Sequence, residues 1–141
     1  MIDQLTVFLE NTKGRLTSLC RALGDADIQM HSLALADTTD YGIARIICDD
    51  PKGAVAAISE AGFTANLTKV VAVEVPDVPG GLASVLDVLD NSGINIEYCY
   101  CFADADKGAT VAFKVDESAI DALEGAGFKV LHPEDLYKTA Q

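Results

Sequence analysis

Apolar positions along the chain keep two rhythms, and the same succession of rhythms occurs twice. Leu5, Val7 and Leu9 alternate with polar residues, as do Val71, Val73 and Val75, so each triplet predicts a half-buried strand. The period then changes. Leu16, Leu19, Cys20 and Leu23 stand at i, i+3, i+4 and i+7, and Leu82, Val85, Leu86 and Leu89 repeat those spacings, so each segment predicts a helix with one buried stripe. The joining loops, Glu10-Asn11-Thr12-Lys13-Gly14-Arg15-Leu16 and Pro76-Asp77-Val78-Pro79-Gly80-Gly81-Leu82, lie 66 positions apart.

The rest of each half follows one plan. Ile28 to Ala36 resumes alternation, Asp37 to Gly42 reads as a hairpin turn, and Ile43 to Cys48 as a third strand. Asp49-Asp50-Pro51 is a helix-start signature, Val55 and Ile58 give that helix a short stripe, and Ala61-Gly62-Phe63 ends it before a brief strand, Thr64 to Leu67. In the second half Ile94 to Phe102 is the long strand, Asp104 to Gly108 the turn and Ala109 to Val115 its hairpin partner. Ile120 and Leu123 mark the next helix, Ala126-Gly127-Phe128 its end, and Lys129 to His132 the last strand. Pro133 to Tyr137 predicts a short terminal helix.

The fold class is therefore α+β: two tandem β-α-β-β-α-β units, each a ferredoxin-like sandwich with helices on one face of an antiparallel sheet. The expected halves are residues 1–69 and 70–141. With Ile28 and Met30 toward the helices, Leu33 and Leu35 should point outward, joined by Phe8. Such an apolar sheet face predicts a cover: the other half of the chain, a second chain, or both. Tyr98, Tyr100 and Phe102 read as helix-facing core, His31 as a sheet-face residue.

Glycine at 14 and 80 permits positive φ, and the first turn of each following helix leaves amide donors unpaired near a partial positive charge. A carboxylate or phosphate is favoured there, although a tight strand-to-helix turn alone would also require glycine. Composition narrows the chemistry. A formal net charge of −12 opposes phosphate backbones, and Lys13, Arg15 and Lys69 make no basic stripe, so nucleic acid is not an expected partner. No apolar run reaches the roughly 18 residues of a membrane helix, and Met1 to Leu9 has no basic leader, so the expected setting is soluble and cytoplasmic.

Catalytic signatures are missing. There is no Gly-x-Ser-x-Gly elbow, no Gly-Lys-Ser/Thr phosphate loop and no His-Glu-x-x-His pair, and His31 and His132 are the only histidines. Arg15 with Asn11 resembles an acylphosphatase pair only loosely, and Arg15 at a helix start reads as a solvated side chain. Cys99-Tyr100-Cys101 puts two thiols on one side of a strand, where Cu(I) or Zn(II) could bind. Two ligands do not close a tetrahedral site, so Cys20, Cys48, Cys99 and Cys101 read first as reduced core and sheet residues. The acidic turns at 37–40 and 104–106 lack a Ca loop's spacing and read as solvated tips. No motif calls for a cofactor or resident metal.

The doubled units, with Asn-x-x-Gly-Arg-Leu at 11–16 and Pro-Asp-x-Pro-Gly-Gly-Leu at 76–82, resemble two ACT domains in tandem, without an attached enzyme, from Gln4 to about Leu136. The resemblance implies a sensor or allosteric regulatory subunit that binds a free amino acid or similar metabolite where the strand-to-helix loop meets a neighbouring unit. A regulated enzyme is the partner such a subunit would act on, and a homodimer is expected because chains of this size often assemble symmetrically. The implied ligand contacts are Asn11, Thr12, Lys13, Gly14, Arg15 and Leu16 in the first loop and Asp77, Val78, Gly80, Gly81 and Leu82 in the second. Gln29 and Asn95 would join them from the start of the second strand of each unit. An α-carboxylate would accept from the N–H groups around Gly14 or Gly80, and an α-ammonium would donate to Asn11 or Asp77. Asp77 in place of the amide of Asn11 implies that the two loops do not bind alike. The alternative reading is a subunit that works through its sheet faces, with degenerate ligand sites.

Overall fold

A computed structural model describes residues 1–37, 41–104 and 108–138. The elements, in chain order, are β1 (Ile2–Glu10), α1 (Arg15–Asp25), β2 (Met30–Asp37), β3 (Tyr41–Cys48), α2 (Pro51–Glu60), β4 (Thr64–Val75), α3 (Gly81–Asn91), β5 (Tyr98–Asp104), β6 (Gly108–Lys114), α4 (Ala119–Gly125), β7 (Val130–Leu131) and α5 (Pro133–Leu136). The turn residues Thr38, Thr39 and Asp40, and Ala105 and Asp106 with Lys107, lie outside the described residues.

By contacts the chain divides into two compact units: an N-terminal one of Asp3–Thr68 with the chain from Leu136 onward, and a C-terminal one of Lys69–Asp135 with Met1 and Ile2. The division falls inside β4. The sequence reading placed a short strand at 64–67 and a new one at 71–75; the structure shows a single strand of 12 residues. The reason is local: between Phe63 and Pro76 there is no glycine or proline to stop it, and Thr64, Thr68 and four valines favour extended backbone.

In the N-terminal unit β2 pairs with β3 and β3 with β1, both antiparallel, and β4 lies on the other side of β1. Leu5, Val7 and Leu9, opposite Ile46, Ala44 and Gly42, face α1 and α2. They form a core with Leu19, Leu23, Ala54, Ile58 and Phe63. The C-terminal unit repeats this. Val71, Val73 and Val75 pack with Val85, Leu89, Val111, Phe113, Ala119 and Leu123, and β4 is flanked by β6 and β7. The helix start foreseen at Asp50-Pro51 is built as expected, with the Gly53 N–H donating to Asp50 Oδ1 at 3.1 Å.

Two face assignments are corrected. A register shift between Met30 and Ser32 inserts His31 as a bulge. The phase of β2 changes there, so Leu33 and Leu35, opposite Ile46 and Ala44, lie on the helix side with Met30. They remain exposed, at 39% and 48%, because β2 is an edge strand. Phe8 does lie on the opposite face, 6.5 Å from the Tyr41 ring. In β5 the helix-side residues are Cys99 and Cys101, opposite Phe113 and Val111, so Tyr98, Tyr100 and Phe102 point the other way. Regular alternation had fixed the period of each strand but not its phase, which a bulge or an edge position can change at little local cost.

The tail closes the N-terminal unit. His31 Nε2 lies 3.1 Å from the Leu136 carbonyl, the Asp3 N–H donates to Tyr137 Oη at 2.7 Å, and Lys138 Nζ donates to the Asp27 carbonyl at 2.8 Å. Tyr137→Phe keeps the ring and removes the acceptor for Asp3. A loss of about 1 kcal/mol is expected in urea unfolding at neutral pH; an unchanged midpoint would mean that the tail does not hold β1.

Candidate ligand site

The two glycine corners share one backbone geometry. Gly14 (φ 90°) and Gly80 (φ 82°) adopt left-handed backbone at the N-caps of α1 and α3, and no side chain caps either helix. The Ser18 N–H donates to the Gly14 carbonyl and the Ser84 N–H to the Gly80 carbonyl, while the Arg15 and Gly81 N–H groups donate back to Thr12 and Val78. The next two amides of each helix have no carbonyl within the helix to bond. Chain neighbours apart, nothing lies within 4 Å of where a Cβ at Gly14 or Gly80 would stand. The first member of each helix stripe is left exposed there, Leu16 at 37% and Leu82 at 36%.

Cavities flank the first corner. One of about 220 Å³ is lined by Phe8, Leu9, Glu10, Arg15, Tyr41, Gly62 and Thr64. A smaller one of about 90 Å³ is lined by Leu9, Glu10, Asn11, Thr12, Leu16, Leu35 and Gly42. Arg15 is not the solvated side chain that the sequence suggested. Its guanidinium lies 4.2 Å above the Phe63 ring, and Nε, shielded from solvent, sits 3.3 Å from Glu10 Oε2 without the alignment of a hydrogen bond. The Arg15 side chain lines the larger of these two cavities, and its Nε is buried without a hydrogen bond.

The second corner differs. The corresponding cavity, about 380 Å³, is lined by Glu74, Val75, Pro76, Asp77, Gly108, Ala109, Gly127, Phe128 and Lys129. Where the first corner carries Arg15 the second carries Gly81, whose Cβ would run into the Pro76 carbonyl. Lys129 Nζ is 3.9 Å from Glu74 Oε1, so the one cation there among the described residues already faces a carboxylate, and Asp77 adds another.

Of the residues singled out by sequence, the structure gathers Asn11, Thr12, Arg15 and Leu16 around the first corner with Gly14 between them. Asp77 lines the second cavity, while Val78, Gly80, Gly81 and Leu82 form its turn and helix start. Lys13 and Val78 are exposed and line none of these cavities. Gln29 lines none of these cavities; its Nε2 donates to the Met30 carbonyl and its N–H to Asp49 Oδ1. Asn95 is exposed, ahead of β5, and lines none of the three cavities. Sequence reasoning missed Phe8, Glu10, Tyr41, Gly62 and Thr64. Tyr41 is opposite Glu10 only through the β1–β3 register, and Gly62 and Thr64 arrive from the far end of α2. Of these, only Phe8 had a signal in the sequence, as an apolar residue out of phase with its strand.

Fold and corner geometry define the class: a duplicated ferredoxin-like α+β sandwich with an open glycine corner in each repeat. A family model described as an ACT domain pair matches residues 1–124, and the chain belongs to that family. Among solved structures it is similar to protein BT0572 of Bacteroides thetaiotaomicron, at 38% identity over 97% of this chain and 96% of that one, with a TM-score of 0.89. It also shares its fold with the ligand-free regulatory subunit of aspartate kinase from Thermus thermophilus, at 15% identity over 89% and 92% and a TM-score of 0.64. The Thermus flavus subunit gives 18%, 89% and 94%, and 0.54. No curated protein matches the chain.

Proposed function

We propose that this ACT domain pair is a non-catalytic regulatory sensor that binds a free amino acid at its first corner. The observation that carries the reading is Arg15: a half-buried cationic side chain whose Nε makes no hydrogen bond, lining a cavity beside an uncapped helix start. The α-carboxylate takes Arg15 and the amides that open α1, and the α-ammonium takes Glu10. The ligand side chain rests against Phe8 and Tyr41, which favours an apolar one. The second corner, with Asp77 and Glu74, repels the same carboxylate and is the weaker or differently occupied site. Binding near micromolar, about −8 kcal/mol, suits a metabolite pool.

The reading includes a homodimer and a regulated enzyme as partner. Exposed Leu33 and Leu35 on an edge strand support the former. Free cysteines, and no helix long and apolar enough to cross a membrane among the described residues, fit a reducing cytoplasmic setting. The same exposed edge favours the second reading, a subunit that acts through protein contacts with degenerate ligand sites.

Thermal-shift screening against the twenty amino acids separates them. At a hundredfold excess over Kd the ligand adds about 2.7 kcal/mol, a rise of about 8 °C in Tm. No shift with any amino acid at millimolar concentration rejects the sensor and leaves the contact reading.

A further inference from the structure

The helix-side positions of the two edge strands carry different chemistry. Leu33 and Leu35 of β2 correspond to Cys99 and Cys101 of β5, each pair opposite buried residues of the neighbouring strand. Both thiols are free and exposed, unlike Cys48, which is buried with its thiol pushed up to about 11, first by that burial. Alternate residues of a strand are about 7 Å apart on one face, and rotation about χ1 brings two such sulfurs within reach of one ion. Partial burial and then the charge of Cys101 raise the pKa of Cys99, so the two groups already feel each other. A cation that replaced both protons would remove that repulsion.

We propose that Cys99 and Cys101 form a two-thiolate chelate for a soft, thiophilic cation, with copper(I) the best match. Thiolates select soft ions, and the net charge of −12 favours a cation over the whole surface. Zinc is the poorer match because it needs four ligands. Among the described residues no group of three or more His, Cys, Asp or Glu side chains could hold a metal ion. Glu97, two residues before Cys99, is paired with Lys114, Oε2 to Nζ 3.7 Å. Binding breaks two S–H bonds and forms two metal–sulfur bonds; both protons pass to solvent and no electron is transferred.

The test is anaerobic titration of the reduced, metal-free full chain with copper(I) held by a chromogenic chelator. Wild type and Cys20→Ser should each take up one equivalent, and Cys99→Ser/Cys101→Ser none. Each single variant should bind on the order of a hundredfold more weakly, because one donor cannot chelate. Iodoacetamide labelling of the wild type, read by peptide mass, gives a result that does not depend on the variants folding: copper should protect Cys99 and Cys101 and leave Cys20 labelled. No uptake by wild type, undiminished uptake by the double variant, or labelling of both cysteines in the loaded protein would each overturn the proposal.

Discussion

Gly81→Ala is expected to lose about 3 kcal/mol of stability, near 10 °C in Tm, whereas Gly14→Ala loses only about 1 kcal/mol. The order reverses what backbone angles alone suggest, because Gly14 is the residue with positive φ. At Gly14 the space is open and the cost is confined to a left-handed alanine. At Gly81 the added Cβ meets the Pro76 carbonyl, a backbone atom that no rotamer change can move, so the turn must open and the start of α3 must shift off Val85. Urea unfolding of the two variants checks this; a Gly81→Ala protein as stable as wild type would show that the second corner can relax.

The same contrast separates the two corners despite their shared sequence pattern. Glycine followed by arginine leaves a guanidinium at the mouth of a cavity; glycine followed by glycine closes the turn and leaves a carboxylate-rich rim. The repeat was legible because both halves keep the strand, loop and helix rhythm, and apolar spacing reports burial directly: Leu5, Val7, Leu9, Leu19 and Leu23 are all in the core. The side of each edge strand was not legible, since the bulge at His31 leaves the apolar alternation of Leu33 and Leu35 intact while turning both residues over. Half of the site was legible for a similar reason. Asn11 to Leu16 are consecutive and share a loop, but Glu10 with Tyr41, and Arg15 with Phe63, are brought together by register and by helix packing that local pattern does not encode. Gln29 was assigned by motif position; its amide donates to the carbonyl of its own neighbour.

Arg15→Met is expected to weaken amino-acid binding between about tenfold and a hundredfold, the loss of one charge-assisted hydrogen bond of about 1.5 to 3 kcal/mol. Methionine keeps an unbranched stem against Phe63, so the unliganded protein should lose no more than about 1 kcal/mol with the cation–π contact and the exposed Glu10 pair. Arg15→Lys retains the charge without the planar fork and should fall between the two. Glu10→Gln supplies the complementary arm: if Glu10 receives the ammonium, it too weakens binding, even though it frees Arg15 from its only carboxylate partner among the described residues. Calorimetric titration with the amino acid that gives the largest thermal shift measures all three. Equal affinity in Arg15→Met and wild type would move the ligand away from this cavity, to the side of the corner lined by Asn11, Thr12 and Leu16, where backbone amides alone would have to hold the carboxylate.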